Sequence, residues 1–110
     1  MYVFHVTARV VPGREAEYED WKSEEGVSQR AAPGFIKRLL LRDQEEAGVY
    51  HYISFWDSEE QCYAFAAKPE FKALHARHDP AATFSQPMLR HACDVLFDEV
   101  ADALPLGGAR

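Results

Sequence analysis

Alternation of apolar and polar residues marks the strands of this chain. From Tyr2 to Val11 every second residue is apolar, which predicts a strand with one buried face. Two further strands are predicted from Phe35 to Arg42 and from Val49 to Trp56, and the polar turn Asp43–Gly48 between them indicates a hairpin. A last strand is expected from Met88 to about Val100, after a loop with two prolines over residues 79–87.

A long helix is predicted from Arg14 to about Gln29. The Pro12-Gly13 pair breaks the strand before it, and apolar residues recur among many charges along it. Acidic residues suit its N-terminal half because of the helix dipole. The acidic stretch Glu15–Glu25 is therefore predicted to be a solvated face.

Two short helices are predicted after the third strand. Ser58 and Gln61 form a capping-box pattern that opens a helix from Glu59 to Ala67. Pro69 ends this helix and can occupy the first turn of the next, from about Glu70 to Arg77. The inward stripes are expected to be Gln61, Cys62, Phe65 and Ala66 on one helix, and Phe71, Leu74, His75 and His78 on the other.

The order of these elements is the β-α-β-β-α-β plan of a ferredoxin-like α+β fold, an antiparallel sheet with helices on one face. The 110 residues allow one domain, assigned to residues 1–103, with 104–110 as a flexible C-terminal tail. All four strands carry apolar side chains on both faces, and one layer of helices covers one face. The other face is therefore predicted to pack against a second copy in a homodimer.

Charge and cysteine content narrow the class of protein. A net charge of −6 argues against nucleic acid or an anionic membrane as a partner. The alternation at the N-terminus predicts a strand and not a signal peptide, and no run reaches the roughly 20 apolar residues that span a bilayer. Cys62 and Cys93 lack CxxC spacing and are predicted to be reduced, buried thiols of a cytoplasmic protein.

His75 is the candidate centre of chemistry. It lies one turn beyond Phe71 on a largely apolar face, where a neutral imidazole can ligate iron, act as a base, or simply pack while bonded to a carbonyl. His75 and His78 are three residues apart and could touch one metal ion. No nearby carboxylate completes a recognisable ligand set, so no metal site is predicted.

A pocket is predicted between the sheet and the two short helices. Pro69 divides the helical cover, and a divided cover leaves a gap more easily than one straight helix does. Trp56 and Phe65 are either core aromatics or walls for a flat aromatic ligand. The predicted wall residues around His75 are Val6, Trp56, Cys62, Phe65, Phe71 and Leu74.

Three motifs appear in a familiar order: PGF at residues 33–35, WDSEE at residues 56–60 and PEFKALH at residues 69–75. In order and spacing they resemble the antibiotic biosynthesis monooxygenase superfamily, over roughly residues 1–100. The resemblance implies a homodimer in which two sheets form a dimeric α+β barrel. Members of the family include quinone-forming monooxygenases of polyketide pathways, haem-degrading enzymes and many proteins of unknown role.

The resemblance implies a monooxygenase that oxidises an aromatic or polycyclic small molecule with O2, with no required cofactor and with His75 as the base. An alternative is haem binding or degradation, with His75 as the axial ligand. In the haem-degrading branch the histidine position falls on His75, the tryptophan position on Phe65, and the asparagine position on Val6, or on Thr7 if the register slips by one. A third hypothesis is a non-catalytic dimer that binds a small molecule.

Overall fold

The computed structural model describes residues 1–102, and the predicted tail at 104–110 lies outside these residues. The order of elements is the one predicted from the sequence, with one helix added. The elements are β1 (Tyr2–Arg9), α1 (Glu15–Gln29), β2 (Phe35–Arg42), β3 (Val49–Trp56), α2 (Glu59–Ala66), α3 (Pro69–Arg77), α4 (Pro80–Thr83) and β4 (Leu89–Asp94).

The four strands form one antiparallel sheet in the order β2-β3-β1-β4. At the centre of the sheet, Val6 of β1 pairs with Tyr52 on one side and with Arg90 on the other. Antiparallel strands in this order, with helical connections after β1 and β3, confirm the ferredoxin-like α+β fold.

The helices cover the sheet face that the alternation predicts. Side chains of this face form two buried clusters with the helices. One cluster contains Ala8, Val10, Tyr18, Trp21 and Tyr50. The other contains Ala32, Trp56, Cys62 and Phe65. Between the sheet and the helices lies a cavity.

Two predictions near the end of the chain were wrong, namely the end of the last strand and the loop before it. β4 ends at Asp94 and not near Val100, because Asp94 pairs with Tyr2, the first residue of its partner strand β1. The region 79–87 was predicted to be a loop but contains α4. Pro80 occupies the first turn of this helix, where its missing N–H costs nothing.

The prediction of a solvated acidic face on α1 was wrong at Glu25, whereas the other acidic residues of this face are exposed or half-buried. Lys22, Glu25 and Gln29 are buried, with exposed fractions of 7%, 2% and 2%. They continue the stripe of Tyr18 at helical spacing and so face the sheet. The charged pair is tolerated there because Lys22 Nζ lies 2.8 Å from a carboxylate oxygen of Glu25.

The outer face of the sheet has no helical cover in the described part of the chain. Large apolar side chains on this face are exposed by 41–54%, namely Leu39, Leu41 and Leu89. Cys62 and Cys93 are both free, but Cys93 is exposed and not buried as predicted, because β4 places it on this face. No helix within residues 1–102 is long and apolar enough to cross a membrane.

Candidate functional site

A cavity of about 460 Å³ lies between the sheet and helices α1, α2 and α3. This volume falls within the usual range for small-molecule sites. Strands β1, β3 and β4 form its floor, and the three helices form its walls. Its lining residues include Val6, Lys22, Glu25, Gln29, Tyr52, Trp56, Cys62, Phe65, Phe71, His75 and Arg90.

A series of aromatic contacts forms one wall. Trp56 is fully buried, and its indole N–H donates to Ser54 Oγ at 3.0 Å, which fixes the ring. Its ring centroid lies 5.7 Å from that of Phe65, which lies 5.2 Å from Phe71, and Phe71 in turn lies 4.2 Å from His75. These spacings are typical of packed aromatic pairs, so the rings form a continuous wall suited to a flat ligand.

Pro69 and the cap at Ser58 explain why this wall exists. The Ser58 side chain accepts from the Gln61 amide at 3.3 Å and starts α2 directly after β3. Pro69 stops that helix and starts α3 in a new direction. Phe65 and Phe71 therefore meet across a helix break, with their rings at 69°.

His75 turns its ring toward this wall. It also packs edge-on to Trp21, with centroids 4.8 Å apart, and its Nε2 atom is buried without a hydrogen-bond partner among the described residues. Burial lowers the pKa of His75, and Lys22, Arg90 and His78 lower it further, while Glu25 acts in the opposite direction. The imidazole is therefore neutral at pH 7, and one ring nitrogen can accept a proton or bind a metal.

A buried polar network from α1, here called the polar end, also lines the cavity. Lys22 pairs with Glu25, and its Nζ atom lies 4.0 Å from the centroid of the Tyr52 ring. The Tyr52 hydroxyl donates to Gln29 Oε1 at 2.7 Å, and burial raises the pKa of this phenol. The cavity thus combines an aromatic wall with charged and hydrogen-bonding groups.

The structure brings most of the predicted wall residues together. Five of them line the cavity with His75, namely Val6, Trp56, Cys62, Phe65 and Phe71. Leu74 instead packs against the buried cluster around Trp21. Burial raises the pKa of the Cys62 thiol to about 11, so this thiol is protonated and a poor nucleophile.

His78 does not join His75. Its Nε2 atom lies 3.0 Å from Glu24 Oε1, and its ring stacks on Trp21 at 5.4 Å with an interplanar angle of 6°. Within residues 1–102 no group of three potential ligand side chains is arranged to hold a metal ion.

Sequence reasoning missed Lys22, Glu25, Gln29 and Arg90. The first three carried a signal, because they follow Tyr18 at intervals of three and four residues along α1. Because these three residues are charged or polar, they were not predicted to line a buried site. Arg90 had no comparable signal, since its placement follows from the pairing of β4 with Val6.

The fold and the cavity define a ferredoxin-like α+β protein with a site of small-molecule size. A family model described as antibiotic biosynthesis monooxygenase matches residues 1–77, and the chain belongs to this family. A search of curated proteins found no match.

Solved structures of other proteins share the fold. A protein assigned as an antibiotic biosynthesis monooxygenase from Caulobacter crescentus is 24% identical, with a TM-score of 0.78 over 87% of this chain and 90% of its own. SnoaB from Streptomyces nogalater, a cofactor-independent oxygenase, is 23% identical, with a TM-score of 0.73 over 88% and 95%. A MhuD variant with two manganese protoporphyrin IX molecules per active site is 24% identical, with a TM-score of 0.75 over 92% and 100%.

Proposed function

We propose that this protein is a monooxygenase that oxidises an aromatic or polycyclic small molecule with O2 inside the cavity. The observation that carries the proposal is the state of His75. Its neutral ring borders an aromatic-walled cavity, and its buried Nε2 atom has no hydrogen-bond partner within residues 1–102. A buried polar atom of this kind calls for a partner, which a substrate would supply.

In the proposed reaction His75 removes a proton from the substrate, and the resulting anion reduces O2. A CH2 group of the substrate becomes a carbonyl group, and the second oxygen atom leaves as water, so the substrate supplies all four electrons. The aromatic wall excludes water from the anion, and the polar end supplies hydrogen bonds to it.

Oxygen consumption with an anthrone as the test substrate checks this function. His75→Ala and His75→Gln should each lower the rate by about 10²- to 10⁴-fold, the usual contribution of a positioned base. The rate of the unmodified protein should fall in acidic solution with a midpoint below pH 6.5, because burial lowers the pKa of His75 from 6.5. His78→Gln is the matched control for the rate at neutral pH, since His78 contacts Glu24 and does not line the cavity.

A second candidate function is haem binding, and the same Nε2 atom favours it. An imidazole in an apolar cavity fits an axial ligand, and bound haem would supply an iron centre for O2 chemistry. Val6 and Phe65 occupy the positions where the haem-degrading branch has asparagine and tryptophan, so the residues here fit binding better than degradation. Haemin titration decides: a shifted Soret band that is lost in His75→Ala supports haem binding.

The two tests also separate a third possibility. If an aromatic ligand binds in the cavity but neither oxygen consumption nor a Soret shift is observed, the protein is a small-molecule-binding module without catalytic activity. Unchanged oxygen consumption in both His75 variants would contradict the role of His75 as the base.

We also propose that the protein is a homodimer that joins through the outer face of the sheet. The support is the exposure of Leu39, Leu41 and Leu89 on that face, which would be unusual for a monomer. Pairing two such faces would bury on the order of 2,000 Å² or more.

A further inference from the structure

The buried pair of Lys22 and Glu25 faces the cavity, and burying its two charges there costs free energy. The two side chains are exposed by 9% and 3%, and removing both charges from water costs more than an apolar pair of similar size would. Stability alone therefore does not account for a pair at this position. Its place in the cavity wall points to a ligand.

The contacts of Lys22 leave part of its binding capacity free. An ammonium group has three N–H donors, and Glu25 accepts one of them at 2.8 Å. The ring centroids of Tyr52 and Tyr18 lie 4.0 Å and 5.9 Å from Nζ, and both rings attract its positive charge. A ring face does not accept an N–H donor as a carbonyl or carboxylate oxygen does. A donor of Lys22 thus remains available to an acceptor in the cavity.

The backbone that carries Lys22 is also fixed. Arg38 of β2 donates to the backbone carbonyl oxygen of Lys22 at 2.6 Å. Its guanidinium group crosses α1 at Gly26, where an added Cβ atom would overlap it. Lys22 is therefore held from three sides: by β2 through its backbone, by Glu25 through its charge and by Tyr52 through its ring.

We propose that Lys22 binds the oxygen anion of the substrate, that Tyr52 is a positioning residue for its ammonium group, and that Glu25 is the counter-ion with which the substrate anion competes. The inference rests on the proposed function, in which a substrate anion forms in this cavity. It specifies the ligand class as a phenolate or enolate attached to an aromatic body, with the aromatic rings against Phe65 and Phe71. The oxygen anion faces the polar end of the cavity.

Two small probes test the inference without turnover. The ionised form of 4-nitrophenol carries the proposed oxyanion and has a distinct absorbance, whereas 4-nitroanisole has a similar shape and cannot ionise. The double variant Lys22→Met/Glu25→Gln removes both charges and leaves no unpaired buried charge. It should bind 4-nitrophenolate about 10- to 100-fold more weakly than the unmodified protein and bind 4-nitroanisole equally well, because a hydrogen bond to a charged group is lost.

The two single variants are expected to change the affinity for phenolate in opposite directions, which a purely structural role of the pair would not do. Lys22→Met should weaken phenolate binding, whereas Glu25→Gln should strengthen it several-fold, because Lys22 then lacks a counter-ion. Glu24→Gln is the control for net charge, since Glu24 pairs with Arg77 outside the cavity lining.

The outcomes separate this inference from the proposed function. Equal phenolate affinity in the double variant and the unmodified protein would overturn the proposed role of Lys22 and would leave the proposed oxygenase function untouched. Loss of affinity for both probes in the variants would assign the pair a structural role. If the unmodified protein bound neither probe, the aromatic site itself would be wrong, and both proposals would fail. A Lys22-dependent affinity without oxygen consumption would leave the inference standing and reject the oxygenase.

Discussion

Asp43 organises the hairpin between β2 and β3 through three hydrogen bonds. Its Oδ1 atom accepts from the backbone amides of Glu45 and Glu46 at 2.8 and 2.9 Å, and its Oδ2 atom lies 3.0 Å from His51 Nε2. The bond to His51, followed by the two backbone bonds, lowers the pKa of Asp43 from 3.8 to about 2. Folding therefore favours the ionised carboxylate.

The effect of Asp43 on stability should depend on pH. Because its pKa is lowered in the folded state, its stabilisation is present above pH 3.8 and is lost as the pH falls through about 2. Asp43→Asn should therefore lower Tm at neutral pH, and the difference from the unmodified protein should shrink in acid. Thermal unfolding from pH 7 to pH 2 measures this, with the exposed Asp20→Asn as the control. A Tm difference that stays constant across this range would contradict the assignment.

At the level of residues, spacing was a better guide than polarity. Phe65, Phe71 and His75 were predicted to share one site because apolar side chains at helical spacing must cover a sheet. Lys22 and Glu25 have the same spacing on α1, but the partners that make their burial possible come from elsewhere in the chain. The Tyr52 ring is one such partner, and no local pattern around Lys22 reveals it.

Among the elements, the short helix α4 connects the end of α3 to the chain that follows β1. Thr83 is fully buried, and its hydroxyl lies 2.9 Å from the carbonyl oxygen of His78 at the end of α3. Its own carbonyl accepts from the amide of Val11 at 2.8 Å, just beyond β1. Thr83 thus fastens the end of the helix that carries His75 to the chain that leaves β1.

Thr83→Val tests this connection. The variant keeps the shape of the side chain but leaves the carbonyl of His78 without its hydroxyl donor, which should destabilise the protein by about 1–3 kcal/mol. Urea unfolding measures the difference, and Thr83→Ser, which keeps the hydroxyl, should lose less. If the valine variant is as stable as the unmodified protein, the hydroxyl does not anchor α3.

Element type and order were predictable because each element carries its own period. The residues at which helices and strands begin and end were less predictable. The four residues of α4 are too few to show a helical period, and its proline indicated a break although it suits a first turn. The end of β4 is set by the first residue of β1, some 90 positions away, and not by the apolar residues that follow Asp94.

At the scale of the whole molecule, the outer sheet face is the feature to test. Leu41→Glu or Leu89→Glu would place a charge on the proposed dimer interface, where burying an unpaired carboxylate is costly. Each variant should convert the dimer to a monomer in sedimentation velocity at micromolar concentration. Val27→Glu is the matched control, since Val27 is 66% exposed on α1, on the opposite layer. A monomeric unmodified protein at this concentration would refute the proposed dimer.

Helix α3 forms a wall of the cavity, yet none of its side chains is fully buried. Its outer surface is held to α1 by exposed pairs such as Arg77 with Glu24, which contribute little free energy. We therefore expect local opening of α3 to require less free energy than unfolding of the sheet. Opening of α3 would carry His75 and Phe71 away from the sheet together, so the cavity would lose its proposed base and part of its aromatic wall in one motion.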